Sequence, residues 1–134
     1  MVIKCQSLLA KPGKKLSDFR YRLRAFQRSS EEICKSHGLT SLQYLLLLHL
    51  KGFESREWAT ISELAEKLQS KHHATVMLID RSSELGLVER RVSATDKRCM
   101  EIHLLPKGEK LVEAIAWQHR PELNYLQQEF PLTK

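Results

Sequence analysis

Residues 60 to 105, TISELAEKLQSKHHATVMLIDRSSELGLVERRVSATDKRCMEIHLL, limit what this chain can fold into more than any other stretch. Leu64, Ala65 and Leu68 fall at helical spacing behind Ser62, which predicts a brief capped helix over residues 63–69, with Ser70 and Lys71 as a turn. A second helix follows over residues 72–85, with Thr75, Leu78, Ile79, Ser82 and Leu85 on one stripe and His73, Val76, Met77, Asp80 and Glu84 around the other side. Gly86 stops it. Residues 87–92 read as a strand, 93–98 as a polar turn, and 99–105 as a second strand with Met100, Ile102 and Leu104 on one face.

The flanks extend this pattern. Lys11, Pro12 and Gly13 read as a turn closing a loose arm, and Ser17 as the cap of a helix that runs to about Ser36 and closes at His37 and Gly38. Phe19, Leu23, Phe26, Ser30 and Ile33 give it one buried stripe; Arg20, Arg24 and Arg28 line a neighbouring face, either solvated or turned to phosphate. Thr40 and Gln43 have capping-box spacing ahead of leucines at 42, 45–48 and 50, and Gly52 stands past the last of them, which predicts a central helix buried around nearly its whole circumference. Residues 53–59 form a polar connection, and Thr60 and Ile61 add a short edge strand. Pro106 and Gly108 fit the start of a further helix with Leu111, Val112, Ile115 and His119 at packing spacing. Pro121 breaks it and biases Arg120 away from helical geometry, leaving Leu123, Leu126 and Phe130 as a last short stripe. Two short helices followed by a hairpin make a winged helix-turn-helix, so the fold class expected is mainly α (α+β). A single domain over residues 1–134 is expected, its lobe at 40–105 lying between terminal helices at 16–37 and 107–130.

The formal net charge is +6, but its distribution is uneven. Residues 1–28 hold Lys4, Lys11, Lys14, Lys15, Arg20, Arg22, Arg24 and Arg28 against Asp18 alone, so the rest of the chain is close to neutral. Bulk charge therefore does not mark residues 60–105 as a nucleic-acid surface. The longest apolar run, residues 45–48, is far too short to span a bilayer, and no signal-peptide cleavage site follows the N-terminus, so a cytoplasmic protein with no membrane partner is expected. Cys5, Cys34 and Cys99 lack C-x-x-C spacing and read as free thiols, with redox sensing by one of them as the alternative. His72 and His73 point about 100° apart on a helix, which argues against a metal site. No nucleophile elbow, phosphate-binding glycine loop, H-E-x-x-H or paired-carboxylate signature is present, so no catalytic residue or cofactor is expected.

Binding chemistry concentrates in two places. Lys71, His72 and His73 open the second short helix, where backbone N–H groups and the helix dipole favour a phosphate and side chains can reach a major groove. At the hairpin tip, Arg98 is placed to enter a narrow minor groove, with Asp96 two residues earlier to hold its guanidinium and Lys97 between them; an ordinary exposed turn is the alternative.

Taken in order, GLTSLQYLLLLHLKG, TISELAEKLQSKHHATVMLIDR, GLVERR, the tip DKR and LLPKGEKLVEAI resemble the MarR family of winged-helix transcriptional regulators over about residues 19–123. The resemblance implies a homodimer whose reader helices enter successive major grooves of a pseudo-palindromic operator in double-stranded DNA, usually as a repressor. It implies that Lys71, His72, His73, Val76, Met77 and Arg81 face DNA and that Arg98, steadied by Asp96 and next to Lys97, reaches the minor groove. The terminal helices would dimerise through Phe19, Leu23 and Phe26 at one end and Leu111, Ile115, Leu123 and Leu126 at the other. A small aromatic or phenolic effector between those helices and the lobe is also implied, and no residue identifies one. Ser82 stands where the family usually has leucine, and Met77 where a basic residue is common. The alternative function is a winged-helix protein-interaction module without DNA binding, favoured by Met77 and the near-neutral centre.

Overall fold

Leu46, Leu47 and Leu50 are fully buried on one helix, and the other elements gather around it. The computed structural model describes residues 11–129, in the order α1 (Pro12–Ser36), α2 (Ser41–Gly52), β1 (Trp58–Thr60), α3 (Ile61–Leu68), α4 (His72–Glu84), β2 (Val88–Val92), β3 (Met100–Leu104), α5 (Pro106–His119) and α6 (Glu122–Glu129). The leucines of α2 meet Leu64 of α3, Ile79 of α4, Leu87, Val88 and Ile102 of the hairpin, and Val112 and Ile115 of α5 in one core.

Local chemistry sets the starts of these helices. At α2, Thr40 Oγ1 accepts from the Gln43 amide (3.1 Å) and Gln43 Oε1 accepts from the Thr40 amide (3.0 Å), the reciprocal capping box expected there. A second box was not foreseen: Thr60, not Ser62, caps α3, its hydroxyl accepting from the Glu63 amide (3.2 Å) while Glu63 Oε1 accepts from the Thr60 amide (3.0 Å). Only Glu63 lies three residues after a hydroxyl cap, so the reciprocal pair selects Thr60. Thr60 is also the last residue of β1, and the strand runs into α3 with no loop between them.

The sheet is antiparallel with order β1-β3-β2, Ala59 opposite Ile102 and Arg90 opposite Ile102 on the other side. Its outer edge is held by stacked charges and rings. The Arg56 guanidinium lies 4.6 Å from the Phe53 ring centroid and 4.5 Å from that of Trp58, and Trp58 stacks on His103 at 6.0 Å. Arg56 also donates to both carboxylate oxygens of Glu63, which holds that carboxyl below its ordinary range. Glu63 thus caps α3 and fixes the connection before β1. Lys51, near the end of α2, donates to Glu57 (2.9 Å) and Glu109 (2.6 Å) and lies 3.3 Å from Glu113, joining α2 and that connection to α5.

Several sequence expectations are corrected. The Lys11-Pro12-Gly13 turn is instead the start of α1, with Pro12 in its first turn, where a missing N–H is no loss; the cap expected at Ser17 lies inside the helix. Phe19, Leu23, Phe26, Ser30 and Ile33 are half-buried rather than buried, because α1 meets the body near its C-terminal end, where Cys34 is fully buried. Leu42 is 54% exposed although Gln43 and Tyr44 in the same turn are buried, so it faces away from the core. Leu85 is also exposed: α4 ends at Glu84, the chain reverses through Gly86 at φ +74°, and Leu87 enters the core in its place.

Arg120 keeps helical geometry although Pro121 follows it. The break between α5 and α6 is present, but the Trp117 carbonyl, deprived of an N–H by Pro121, accepts instead from the Arg120 amide (3.2 Å) and guanidinium (2.8 Å). Cys5 and Phe130 lie outside the described residues, as does the side chain of Leu126.

Gly108 is where α5 crosses the start of the hairpin. A Cβ there would meet the Leu87 carbonyl oxygen at 2.3 Å, and backbone cannot swing aside as a side chain can. Gly108→Ala is expected to lower stability by about 1–3 kcal/mol, the range for overpacking, read as a lower urea midpoint at unchanged slope. An unchanged midpoint would show that α5 slides freely over the hairpin.

Candidate nucleic-acid interface

The turn between α3 and α4 is made by Gln69, a non-glycine residue at φ +51°, whose side-chain amide donates to the Glu66 carbonyl at 2.8 Å. Ser70 and Lys71 follow, and α4 begins with no side-chain cap at Lys71, so its first N–H groups keep their capacity for an external acceptor. Thr75, Ile79 and Ser82 are fully buried and seat the helix on the core. The Ser82 hydroxyl donates to the Leu78 carbonyl at 2.8 Å, so a serine on this buried stripe leaves no orphaned polar atom. Lys71, His72, His73, Met77 and Arg81 are exposed and Val76 is half-buried.

The hairpin tip is built on two hydrogen-bonded residues. Ser93, nearly buried, accepts at Oγ from the amides of Thr95 and Asp96 (both 3.3 Å) and donates its own amide to the Cys99 carbonyl (3.0 Å). Asp96 Oδ1 then accepts from the Arg98 amide (3.0 Å) and from Arg98 Nε (3.2 Å). These contacts, the backbone amide foremost, hold the Asp96 carboxyl below its ordinary range. The Arg98 side chain stands 90% exposed beyond them. Lys97 is exposed beside it. Asp96 and Arg98 are therefore brought together as their spacing implied.

One organising contact was missed by sequence reasoning. Arg90 of β2 donates to Asp80 of α4 at 2.5 Å, tying the outward face of α4 to the wing so that both lie on one surface. The two residues are ten positions apart on different elements, and no local pattern pairs them.

A family model described as the MarR family matches residues 37–98. The uncharacterised HTH-type transcriptional regulator YsmB of Bacillus subtilis is 29% identical, covering 92% of this chain and 85% of that protein. The HTH-type transcriptional repressor MdtR of the same organism is 29% identical, covering 83% of this chain and 73% of that one. The fold matches that of a MepR point mutant from S. aureus, solved bound to an oligodeoxyribonucleotide, at a TM-score of 0.68 and 22% identity, covering 90% of this chain and 85% of that one. The fold is a winged helix, and the family model with these relatives supports a MarR-family regulator.

The terminal helices divide the residues expected at a dimer contact. Phe19, Leu23 and Phe26 of α1 remain half-buried, and Leu123 of α6 is 55% exposed. Ile115 is fully buried and Leu111 packs on the same core, so Ile115 holds α5 to its own lobe and presents no surface to a second copy. Trp117 (65% exposed) and Tyr21 (71% exposed) are the large apolar side chains that the sequence reading overlooked; each falls off the stripe that periodicity assigned to its helix. Among the described residues no three metal-ligating side chains converge, and no helix is long and apolar enough to cross a membrane.

The Asp96 contacts make a prediction with a definite sign. A carboxyl with a depressed folded value holds the turn above its ordinary range and releases it as pH falls through that value. In Arg98→Ala the Asp96 resonance, followed by carbon-13 NMR, should still titrate low, because the residue 98 amide is the larger cause. Full return to an ordinary carboxylate value would assign the effect to the guanidinium instead.

Proposed function

We propose that this chain is a homodimeric transcriptional regulator that binds double-stranded DNA sequence-specifically and acts as a repressor. The observation that carries the reading is the Asp80–Arg90 contact, which sets an uncapped reader helix and an Asp96-braced Arg98 on one surface. An α-helix N-terminus fits the major groove, and an arginine on a projecting tip suits the minor groove beside it. The repressor named among the relatives supports the direction of control, and the DNA-bound structure of like fold supports the partner.

In this reading Lys71, His72 and His73 meet phosphates and base edges at the start of α4, Val76, Met77 and Arg81 continue along it, and Lys97 and Arg98 engage the flanking minor groove. Phe19, Leu23, Phe26, Trp117 and Leu123 supply the apolar surface on which two copies join, and one two-fold axis then spaces the reader helices by about one turn of DNA.

Two measurements test it. Binding to duplex DNA from upstream of the protein's own gene should weaken steeply between about 50 and 200 mM salt, and Arg98→Ala should reduce affinity and flatten the salt slope by about one unit. Absence of binding at low salt would contradict the reading and favour the protein-interaction alternative. Sedimentation at micromolar concentration should show a dimer that Trp117→Glu combined with Leu123→Glu converts to monomer; a wild-type monomer removes the two-fold arrangement.

A further inference from the structure

The outward face of α4 changes character after its first turn. His73 is exposed, but from there to Arg81 no donor side chain is left free to read a base, and the one outward acceptor, Asp80, is engaged by Arg90 at Oδ1. Thr75 is fully buried and its hydroxyl donates back to the Lys71 carbonyl at 2.9 Å. Asp80 is held by Arg90 at 2.5 Å. Ala74, Val76, Leu78 and Ile79 are apolar, and residues 72–80 contain none of the arginine, lysine, asparagine or glutamine that form bidentate base contacts. Met77, 44% exposed, stands one turn beyond His73 on the same face, with half-buried Val76 at its side.

We infer, on the DNA-binding reading above, that Met77 is a specificity-determining residue that selects thymine through its C5 methyl group. The edges of the major groove are otherwise polar: guanine offers N7 and O6, adenine N7 and N6, cytosine N4. A thioether laid over guanine or cytosine strips water from those atoms and returns no hydrogen bond. Laid over a thymine methyl, it removes two apolar surfaces from water at once. Both effects favour thymine, and the unbranched methionine chain can settle over the methyl without fixed geometry. The operator should therefore hold a thymine in each half-site, about one helical turn along α4 from the bases that meet His73.

The test begins with selection of bound sequences from a random duplex library by the purified full chain. Each thymine of the enriched half-site is then replaced singly by deoxyuridine, which deletes only the methyl. One position should weaken binding by about fourfold, the worth of one buried methyl-sized group. Met77→Ala, at an exposed site and checked for fold by circular dichroism, should bind thymine and uracil duplexes equally while retaining its phosphate-driven affinity. Met77→Arg should move the preference at that position towards guanine. If no uracil replacement matters, or if the position enriches for G·C, the Met77 assignment is overturned and DNA binding stands. If no duplex is enriched at all, both fall together. The uracil series uses the unaltered protein, so it decides the matter even where a variant misfolds.

Discussion

Burial of α2 is the constraint on which the other elements depend. α1, α3, α4, α5, β1 and β3 all pack against it, and Leu46, Leu47 and Leu50 have no exposure left. Burying one such side chain contributes about 1.5–3 kcal/mol, whereas an ion pair with both partners partly in water contributes about 0–1 kcal/mol. Ile79 and Thr75 therefore decide where α4 sits, and Asp80 with Arg90 decides only how the wing stands relative to it. The working surface is a thin polar layer aligned on a core that would form without it.

The same layering resolves the conflict between shape and charge. Residues 60–105 are nearly neutral, yet most of their acids are held in ion pairs: Glu63 on Arg56, Asp80 on Arg90, Glu89 on Arg91 and Asp96 on Arg98. Lys67, Lys71, Arg81 and Lys97 are exposed and carry no ion pair among the described residues, against two such acids, Glu66 and Glu84. What a phosphate meets is set by unpaired charge within about one Debye length, roughly 8–10 Å, so a sum over the stretch understates it.

The sequence was most informative where one interaction is local. The Thr40 and Gln43 box, the α4 stripe at Thr75 and Ile79, the stop at Gly86 and the Asp96 to Arg98 tip each depend on neighbours within a turn or two, and each is present. Failures arose where a competing interaction, near or far in sequence, overrode the plainest reading. Ser62 looked like a cap until Glu63 paired with Thr60. Arg120 was expected to leave the helix until its own guanidinium replaced the missing proline N–H. Ile115 has the spacing of an interface residue, but the core of its own lobe claims it, while Trp117 two residues later is left outside. Periodicity reports which residues share a face and is silent on whether that face meets the same chain or another.

The contrast among helix starts ties stability to function. α2 and α3 both open with reciprocal capping boxes, whereas α4 opens on Lys71, whose ammonium can only donate. Replacing a good cap with a residue that cannot accept costs about 0.5–2 kcal/mol, so the free protein is less stable than a threonine or aspartate at position 71 would make it. A carboxylate cap there would satisfy the same N–H groups and repel a phosphate from the same spot. Leaving the cap open and placing a cation at it keeps the site for an external anion, and the core beneath Thr75 and Ile79 holds the helix in place meanwhile. The weakest helix start in the lobe is thus at the position where the proposed function needs unfilled N–H donors.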